Sequence, residues 1–325
     1  MLSKRLINTG GGATGPLDGR EMMAARKDQD GRAVIDRSSD FGATWTSTTI
    51  NSATNKTASA PVGFSSNSVD TTGIRSVATY RGLGQFYGGS VPSTLAISNP
   101  NYGYGTINNV NTGQYVLYFQ DGGPVQKSSN YGANYSPISY TSYTTGFGMS
   151  YDGQYQYIFT VKSGVGLVYI KSTDYGATWT SDITTPYTSG GAVGVAVSED
   201  GSRISINHST GYVISTNYGS TWSLSSTNRP NYYGHIDMSA DGQYQYATRR
   251  SALQRSTDYG ATWSDLQFFT DITNNSVSCS YNGQYVLVAD GYRLRISNNY
   301  GASFSTRTNG TNSYYGGVAV GKSAI

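Results

Sequence analysis

Short runs in which apolar and polar positions alternate recur along the chain, separated by clusters of Gly, Ser, Thr, Asn and Asp. QYQYIF follows Asp152-Gly153, SRISIN follows Asp200-Gly201, QYQYAT follows Asp241-Gly242 and QYVLVA follows Asn282-Gly283; QYVLYF after Thr112-Gly113 has the same shape. A period of two sends successive side chains to opposite faces, so each run reads as a strand. An Asp-Gly or Asn-Gly step ahead of such a run predicts a hairpin with a type I′ turn, in which both central residues have positive φ. Shorter apolar segments before these turns, GVAVS from Gly194 and VSCS from Val277, supply the partner strands.

A second element repeats downstream of each run. It reads SSDFGATW from Ser38, SSNYGANY from Ser128, STDYGATW from Ser172, STNYGSTW from Ser215, STDYGATW from Ser256 and SNNYGASF from Ser297. The glycines of these boxes lie 90, 44, 43, 41 and 41 residues apart, so the first gap spans two periods. FYGGSV fills it, with Gly88 lying 46 residues after Gly42 and 44 before Gly132. That makes seven copies. Each period holds four strands: A, the Asp-Gly turn, B, a variable loop, C, the box, then D. Four antiparallel strands every 41 to 46 residues mark a propeller blade. The reading is therefore all-β, a seven-bladed β-propeller of four-stranded antiparallel blades.

The chain ends fit a closed ring. DGREMMAARKDQDGRAVIDRSSDFGATW from Asp18 aligns without a gap with the segment from Asp152, so the first blade begins at its A–B turn and lacks strand A. YYGGVAVG from Tyr314 resembles a strand A, and the C-terminal strand is expected to complete the N-terminal blade. Residues 18–325 then form the propeller and residues 1–17, basic and then Gly-rich, an N-terminal arm.

Composition narrows the function. Only 13% of residues are charged, 29 are tyrosines, and the net charge is +3. The aromatic content separates the chain from disordered sequences. Adjacent basic residues occur only as the pairs Lys4-Arg5, Arg26-Lys27 and Arg249-Arg250, with no longer cluster, so no nucleic-acid surface is expected. A single Cys279 rules out an internal disulfide and a cysteine zinc site. No apolar run is long enough to span a bilayer, and the N-terminus lacks the apolar core of a conventional signal peptide. No cofactor and no metal are expected.

The pattern Ser-x-Asp-x-Gly-x-Thr-Trp resembles the Asp-box, or BNR, repeat of sialidases, xyloglucanase-type hydrolases, sortilin-like receptors and photosystem assembly factors. The resemblance implies a propeller and leaves activity open, because enzymes and non-enzymes share the box. Its physical reason is local. Asp40, Asp174, Asp258, Asn130, Asn217 and Asn299 can accept hydrogen bonds from backbone N–H groups of their own turns. Gly42, Gly132, Gly176, Gly219, Gly260 and Gly301 permit positive φ. Trp45, Trp179, Trp222 and Trp263, with Phe304 and Tyr135 in equivalent places, are expected between adjacent blades.

A sialidase-like member would need an arginine triad, a Tyr–Glu nucleophile pair and an Asp acid/base. The Phe/Tyr-Arg-Ile-Pro motif that carries the first arginine is absent. The only glutamates are Glu21, which opens a strand, and Glu199, beside a hairpin turn; neither is expected to activate a tyrosine. A glycosidase with paired carboxylates would draw on Asp121, Asp237, Asp271 or Asp290. His208 and His235 stand in different blades, without a nucleophile motif or metal-ligand spacing.

In a four-stranded meander the A–B turns and the boxes share one face, and the longer B–C and D–A loops share the other, where recognition is expected. Candidate ligand-binding residues there are Tyr143, Tyr187, Arg229, Tyr232, Tyr233, Arg249, Arg250, Tyr292, Tyr314 and Tyr315. Arg255, Arg293 and Arg295 are expected on solvated faces of C strands. The favoured reading is a non-enzymatic module of a virion (tail, fibre or capsid decoration) or of an extracellular surface. It would bind a glycan or protein partner, and residues 1–17 would dock on other virion proteins. The alternatives are a polysaccharide-acting glycoside hydrolase and an assembly factor for a partner protein.

Overall fold

The computed structural model describes residues 22–27, 33–50, 69–70, 73–74, 76–79, 82–85, 105–109, 114–120, 124–130, 134–139, 144–188, 192–226, 235–249, 252–268, 276–290, 293–308 and 315–322. The N-terminal arm and the expected copy around Gly88 lie outside them. All the regular structure described is β.

The strands, in chain order, are β1 (Met22–Lys27), β2 (Ala33–Ser38) and β3 (Thr46–Ile50), then four short strands, β4 (Val69–Asp70), β5 (Gly73–Ile74), β6 (Ser76–Thr79) and β7 (Gly82–Gln85). Next come β8 (Gly105–Asn109), β9 (Val116–Gln120), β10 (Gln126–Ser128) and β11 (Ser136–Pro137), and then β12 (Thr144–Met149), β13 (Gln156–Lys162), β14 (Gly166–Ser172) and β15 (Ile183–Thr184). The rest are β16 (Ala192–Val197), β17 (Ile204–His208), β18 (Gly211–Ser215), β19 (Ser223–Ser226), β20 (Ile236–Met238), β21 (Gln245–Arg249), β22 (Ala252–Ser256), β23 (Ser264–Phe268), β24 (Ser276–Cys279), β25 (Val286–Asp290), β26 (Arg293–Ser297), β27 (Ser305–Thr308) and β28 (Tyr315–Val320).

Each consecutive quartet from β8 to β27 forms a four-stranded antiparallel meander. A further four-stranded sheet has the order β28-β1-β2-β3, so the last strand lies antiparallel to the first, with Met22 opposite Val320 and Ala24 opposite Val318. Strands β4 to β7 form two two-stranded hairpins.

The core is divided among the sheets. Tyr157, Phe159 and Tyr169 of β13 and β14 pack with Val197, Ile204, Ile206 and Val213 of the next sheet. Tyr246 and Leu253 pack likewise with Val277, Cys279, Val286 and Val288. Leu287, Leu294 and Ile296 pack with Met22, Ala24, Tyr315, Val318 and Val320, so the same kind of contact joins the last quartet to the sheet that contains both chain ends. Strands β8, β12, β16, β20, β24 and β28 neighbour one another in that order, which puts the first strand of each sheet on the inside. Crowding there explains their small residues: a Cβ on Gly148 of β12 would stand 2.8 Å from Val197 Cγ2.

The A–B turns differ from the expected two-residue type I′ form. Met149 pairs with Gln156 and Val197 with Ile204, which leaves six-residue connections. Within them Gly153, Gly201, Gly242 and Gly283 have positive φ, whereas Asp152, Asp200, Asp241 and Asn282 do not. Side chains make the difference. Ser150 Oγ donates to Asp152 Oδ1 (2.7 Å) and accepts from Tyr155 N–H (3.0 Å), and Asp152 Oδ1 accepts from Gln154 N–H (2.9 Å). With side-chain oxygens holding the turn, only the glycine needs the left-handed region.

Just beyond these inner strands the turns are tied in succession. Tyr151 N–H donates to Glu199 O (3.2 Å), Glu199 N–H to Ala240 O (2.8 Å) and Ala240 N–H to Tyr281 O (2.7 Å). Lys322, two residues past β28 and 2% exposed, ends on the same level. Its ammonium donates to Asp237 Oδ1 (2.7 Å) and Met238 O (2.8 Å), while Asp237 Oδ2 accepts from Cys279 N–H (2.9 Å). Burial favours a neutral lysine, but the Asp237 carboxylate overrides it and raises the Lys322 pKa. Lys322→Met is expected to cost about 3–5 kcal/mol in urea unfolding, because it strands the Asp237 charge. Adding Asp237→Asn, which keeps an acceptor for Cys279 N–H, is expected to restore a large part of that loss; equal losses in the single and double variants would contradict the ion-pair account.

Candidate functional site

The boxes form one repeated turn. In the Ser172 copy the Ser Oγ donates to Asp174 Oδ1 (2.8 Å) and accepts from Gly176 N–H (2.8 Å), while Asp174 Oδ1 accepts from Thr178 N–H (2.9 Å). The Ser38, Ser215, Ser256 and Ser297 copies repeat the Ser-to-Gly bond at 2.8 to 2.9 Å. Asp and Asn interchange because the hydroxyl four residues on works in both directions. Thr178 Oγ1–H donates to Asp174 Oδ2 (2.6 Å), whereas Asn217 Nδ2–H donates to Thr221 Oγ1 (2.9 Å) and Asn299 Nδ2–H to Ser303 Oγ (2.9 Å). The Thr178 and Thr44 bonds, with help from Ser172 and Ser38, lower the pKa of Asp174 and Asp40 to about 2.

Two residues per box adopt left-handed φ: the glycine and the aromatic before it, namely Phe41, Tyr175, Tyr218, Tyr259 and Tyr300. An aromatic side chain is costly there. The compensation comes from the adjacent sheet, where each ring meets the A–B turn residue that follows Gly-Gln or Gly-Ser. Tyr175 stacks on Tyr115 (5.1 Å) and Phe41 on Tyr285 (4.8 Å), Tyr218 lies tilted against Tyr155 (4.8 Å) and Tyr300 against Tyr244 (4.6 Å), and Arg203 lies 4.2 Å over Tyr259. Cations add a second tie: Arg255 donates to Tyr300 O (2.6 Å), Lys171 to Tyr218 O (3.3 Å) and Lys127 to Gly176 O. Arg255 is thus committed to a neighbouring sheet, and Arg295 to Asp290 (2.8 Å), not to open strand faces. The tryptophans lie against neighbouring sheets as well. Trp263 stacks on Tyr212 at 3.9 Å, and Trp222 meets Tyr169 edge-on at 5.6 Å. Sequence reasoning placed the tryptophans but missed the left-handed aromatics, although the Phe/Tyr column at 41, 131, 175, 218, 259 and 300 was its signal.

Of the ten candidate ligand-binding residues, Tyr143, Arg229, Tyr232, Tyr233, Arg250, Tyr292 and Tyr314 lie outside the described residues, as do Gly132, Asp121 and Asp271. Arg249 ends β21, facing Ala252 in the register. Tyr187 is half-buried, 5.5 Å from the His208 ring, and its carbonyl accepts from Leu167 N–H (2.8 Å). Tyr315 is corrected: its side chain is fully buried and its hydroxyl donates to Asp36 (3.1 Å), because β28 turns it into the seam beside β1.

The expectation for Glu199 also changes. Tyr281 Oη donates to Glu199 Oε2 at 2.5 Å, so a Tyr–Glu pair exists, assembled by the successive turns around the inner strands. Asp237 and Asp290 are buried in ion pairs with Lys322 and Arg295, and Asp36 in one with Arg26 (2.9 Å). Asp36, Asp40, Asp152, Asp174, Asp182, Glu199, Asp200, Asp237, Asp241, Asp258, Asp265 and Asp290 each have a partner within a turn, between turns, in an ion pair or across strands. No group of three His, Cys, Asp or Glu side chains suited to a metal ion occurs among the described residues.

No family model and no curated protein matches the chain. Among solved structures it is similar to YCF48 bound to D1 peptide, at 14% identity and a TM-score of 0.53, covering 90% of this chain and 93% of that one. It is also similar to the Myceliophteria thermophila Cps50 (Swd1) beta-propeller domain, at 10% identity and a TM-score of 0.54, covering 77% and 86%. At these identities the likeness bears on fold alone. Together with the successive four-stranded sheets, it makes the chain a β-propeller.

The sign of the acid response follows from the lowered aspartates. Their folded-state pKa lies below the ordinary 3.8, so their contribution is present above that value and disappears as pH falls toward about 2. Asp40→Asn with Asp174→Asn is expected to leave stability at neutral pH little changed, because Asn217 and Asn299 hold the same turn in other boxes. The same pair should flatten the loss of stability between those two pH values, followed by tryptophan fluorescence; an unaltered acid profile would contradict the box assignment.

Proposed function

We propose that this chain is a non-enzymatic binding module, a seven-bladed propeller of the Asp-box type in which β28 closes the ring beside β1. Six four-stranded sheets and the two hairpins at 69–85 supply the material for seven blades, and the seam contacts between Leu287, Ile296 and Met22 support closure. The observation that carries the functional reading is the commitment of acidic side chains. Twelve of them are engaged in turns, ion pairs or cross-strand bonds, which favours a scaffold over a hydrolytic centre. Recognition then falls to the B–C and D–A loops, where Tyr187 is held beside His208 and Arg249 ends a strand B. A peptide- or protein-bearing partner fits tyrosine and arginine at such a rim, and YCF48, which shares the fold, is seen bound to a peptide. A glycan would use the same tyrosine faces. The low charge and the Ser/Thr/Asn/Gly/Tyr-rich composition support a place on a virion or an extracellular surface, with residues 1–17 as the docking arm.

The Tyr281–Glu199 pair favours a second reading, hydrolysis of a polysaccharide, and one experiment separates the two. The chain and its Tyr187→Ala, Arg249→Ala and Glu199→Gln variants are assayed for binding to host-surface glycans and proteins and for reducing-end release. The binding reading expects tenfold or greater loss of affinity, about 1.4 kcal/mol, on changing Tyr187 or Arg249, with no sugar release by any form. Reducing ends released by the parent chain and abolished by Glu199→Gln would overturn it.

A further inference from the structure

Asn282-Gly283 occupies the position that Asp152-Gly153, Asp200-Gly201 and Asp241-Gly242 hold in three other A–B turns. Asn-Gly is chemically distinct from Asp-Gly. The backbone nitrogen of the glycine can attack the Asn side-chain carbonyl carbon, forming a C–N bond and expelling ammonia. Water then opens the resulting succinimide at either carbonyl, giving Asp or isoaspartate. The fold restrains both reacting groups. Asn282 Oδ1 accepts from Ser280 Oγ–H (3.0 Å) and Gln284 N–H (2.8 Å), and Gly283 N–H donates to Ser280 O (2.9 Å). Succinimide closure requires these bonds to open.

We propose that Asn282 is a self-modification site kept silent by its turn, and that its two products have opposite consequences. Conversion to Asp reproduces the carboxylate that the equivalent turns use, where Asp241 Oδ1 accepts from Ser239 Oγ–H (2.7 Å) and Gln243 N–H (3.0 Å). Isoaspartate instead inserts a methylene into the main chain. It separates Ser280 Oγ from Tyr285 N–H, now 3.1 Å apart, and displaces Tyr285 from its stack on Phe41. That stack joins the last quartet to the sheet containing both chain ends. The modification therefore acts on the seam, not on an arbitrary surface turn.

The test follows the intact chain in mildly alkaline buffer, folded and in denaturant. Peptide mapping reports the amide-to-acid mass gain at Asn282, and isoaspartyl methyltransferase labelling reports the isoaspartate share. Deamidation at Asn282 is expected to be roughly tenfold to a hundredfold slower in the folded chain, the factor set by opening the turn bonds first. Ser280→Ala is expected to accelerate it in the folded state and leave the denatured rate unchanged. Asn282→Asp should unfold with the parent chain, while the isoaspartate fraction should unfold at lower denaturant. Equal rates in the folded and denatured parent chain would overturn the proposal whether or not Ser280→Ala folds, as would an isoaspartate form as stable as the parent.

Discussion

Each described box depends on one serine hydroxyl. It donates to the Asp or Asn two residues on and, wherever the glycine is described, accepts its N–H four residues on, with distances of 2.7 to 3.1 Å. That capture holds two consecutive residues in the left-handed region, a conformation an isolated chain would seldom adopt with a tyrosine. Once it is held, the aromatic before the glycine projects toward the preceding sheet, and Trp45, Trp179 and Trp263 return their indole N–H to the carbonyl of the glycine three residues before, Trp45 to Gly42 O at 2.8 Å, whereas Gly219 O accepts from Tyr169 Oη. A local turn thereby sets the contacts between sheets.

Those contacts explain the tyrosine content. Tyr157 Oη donates to Gly201 O (3.0 Å), Tyr169 Oη to Gly219 O (2.7 Å) and Tyr246 Oη to Gly283 O (2.8 Å), each reaching from one sheet to a turn of the next. Phenylalanine would fill the same volume and leave the turn carbonyl without a donor. Burial raises the pKa of all three phenols, so they remain donors at physiological pH. A protein with few charges thus gains specificity from hydroxyls in place of salt bridges. Several carboxylates serve the same end within turns, as Asp40 and Asp174 do, while Asp36, Asp237 and Asp290 are held in ion pairs.

Periodicity made the four-strand unit legible, because box and Asp-Gly turn recur at nearly constant spacing, and the gapless match of the Asp18 and Asp152 segments pointed to β28 as the partner of β1. Less visible was anything that depends on which atoms meet across sheets. Nothing in a dipeptide distinguishes a type I′ hairpin from a six-residue turn held by Ser150 and Asp152. Tyr315 read as a rim residue because strand entrance and binding loop have the same composition; only its pairing beside β1 buries it. Glu199 and Tyr281 are 82 residues apart in sequence and meet through the hydrogen-bonded succession of turns around the inner strands. Lys322 lay past the last recognisable strand and carried no motif.

The central claim is that one repeated contact holds every described pair of neighbouring sheets, including the pair that joins the chain ends. A double-mutant cycle tests it by comparing the Phe41–Tyr285 stack at the seam with the Tyr155–Tyr218 ring contact in the middle of the chain. The account predicts the same coupling in both cycles, about 0.5–1.5 kcal/mol. Coupling in the interior pair and none at the seam would contradict it.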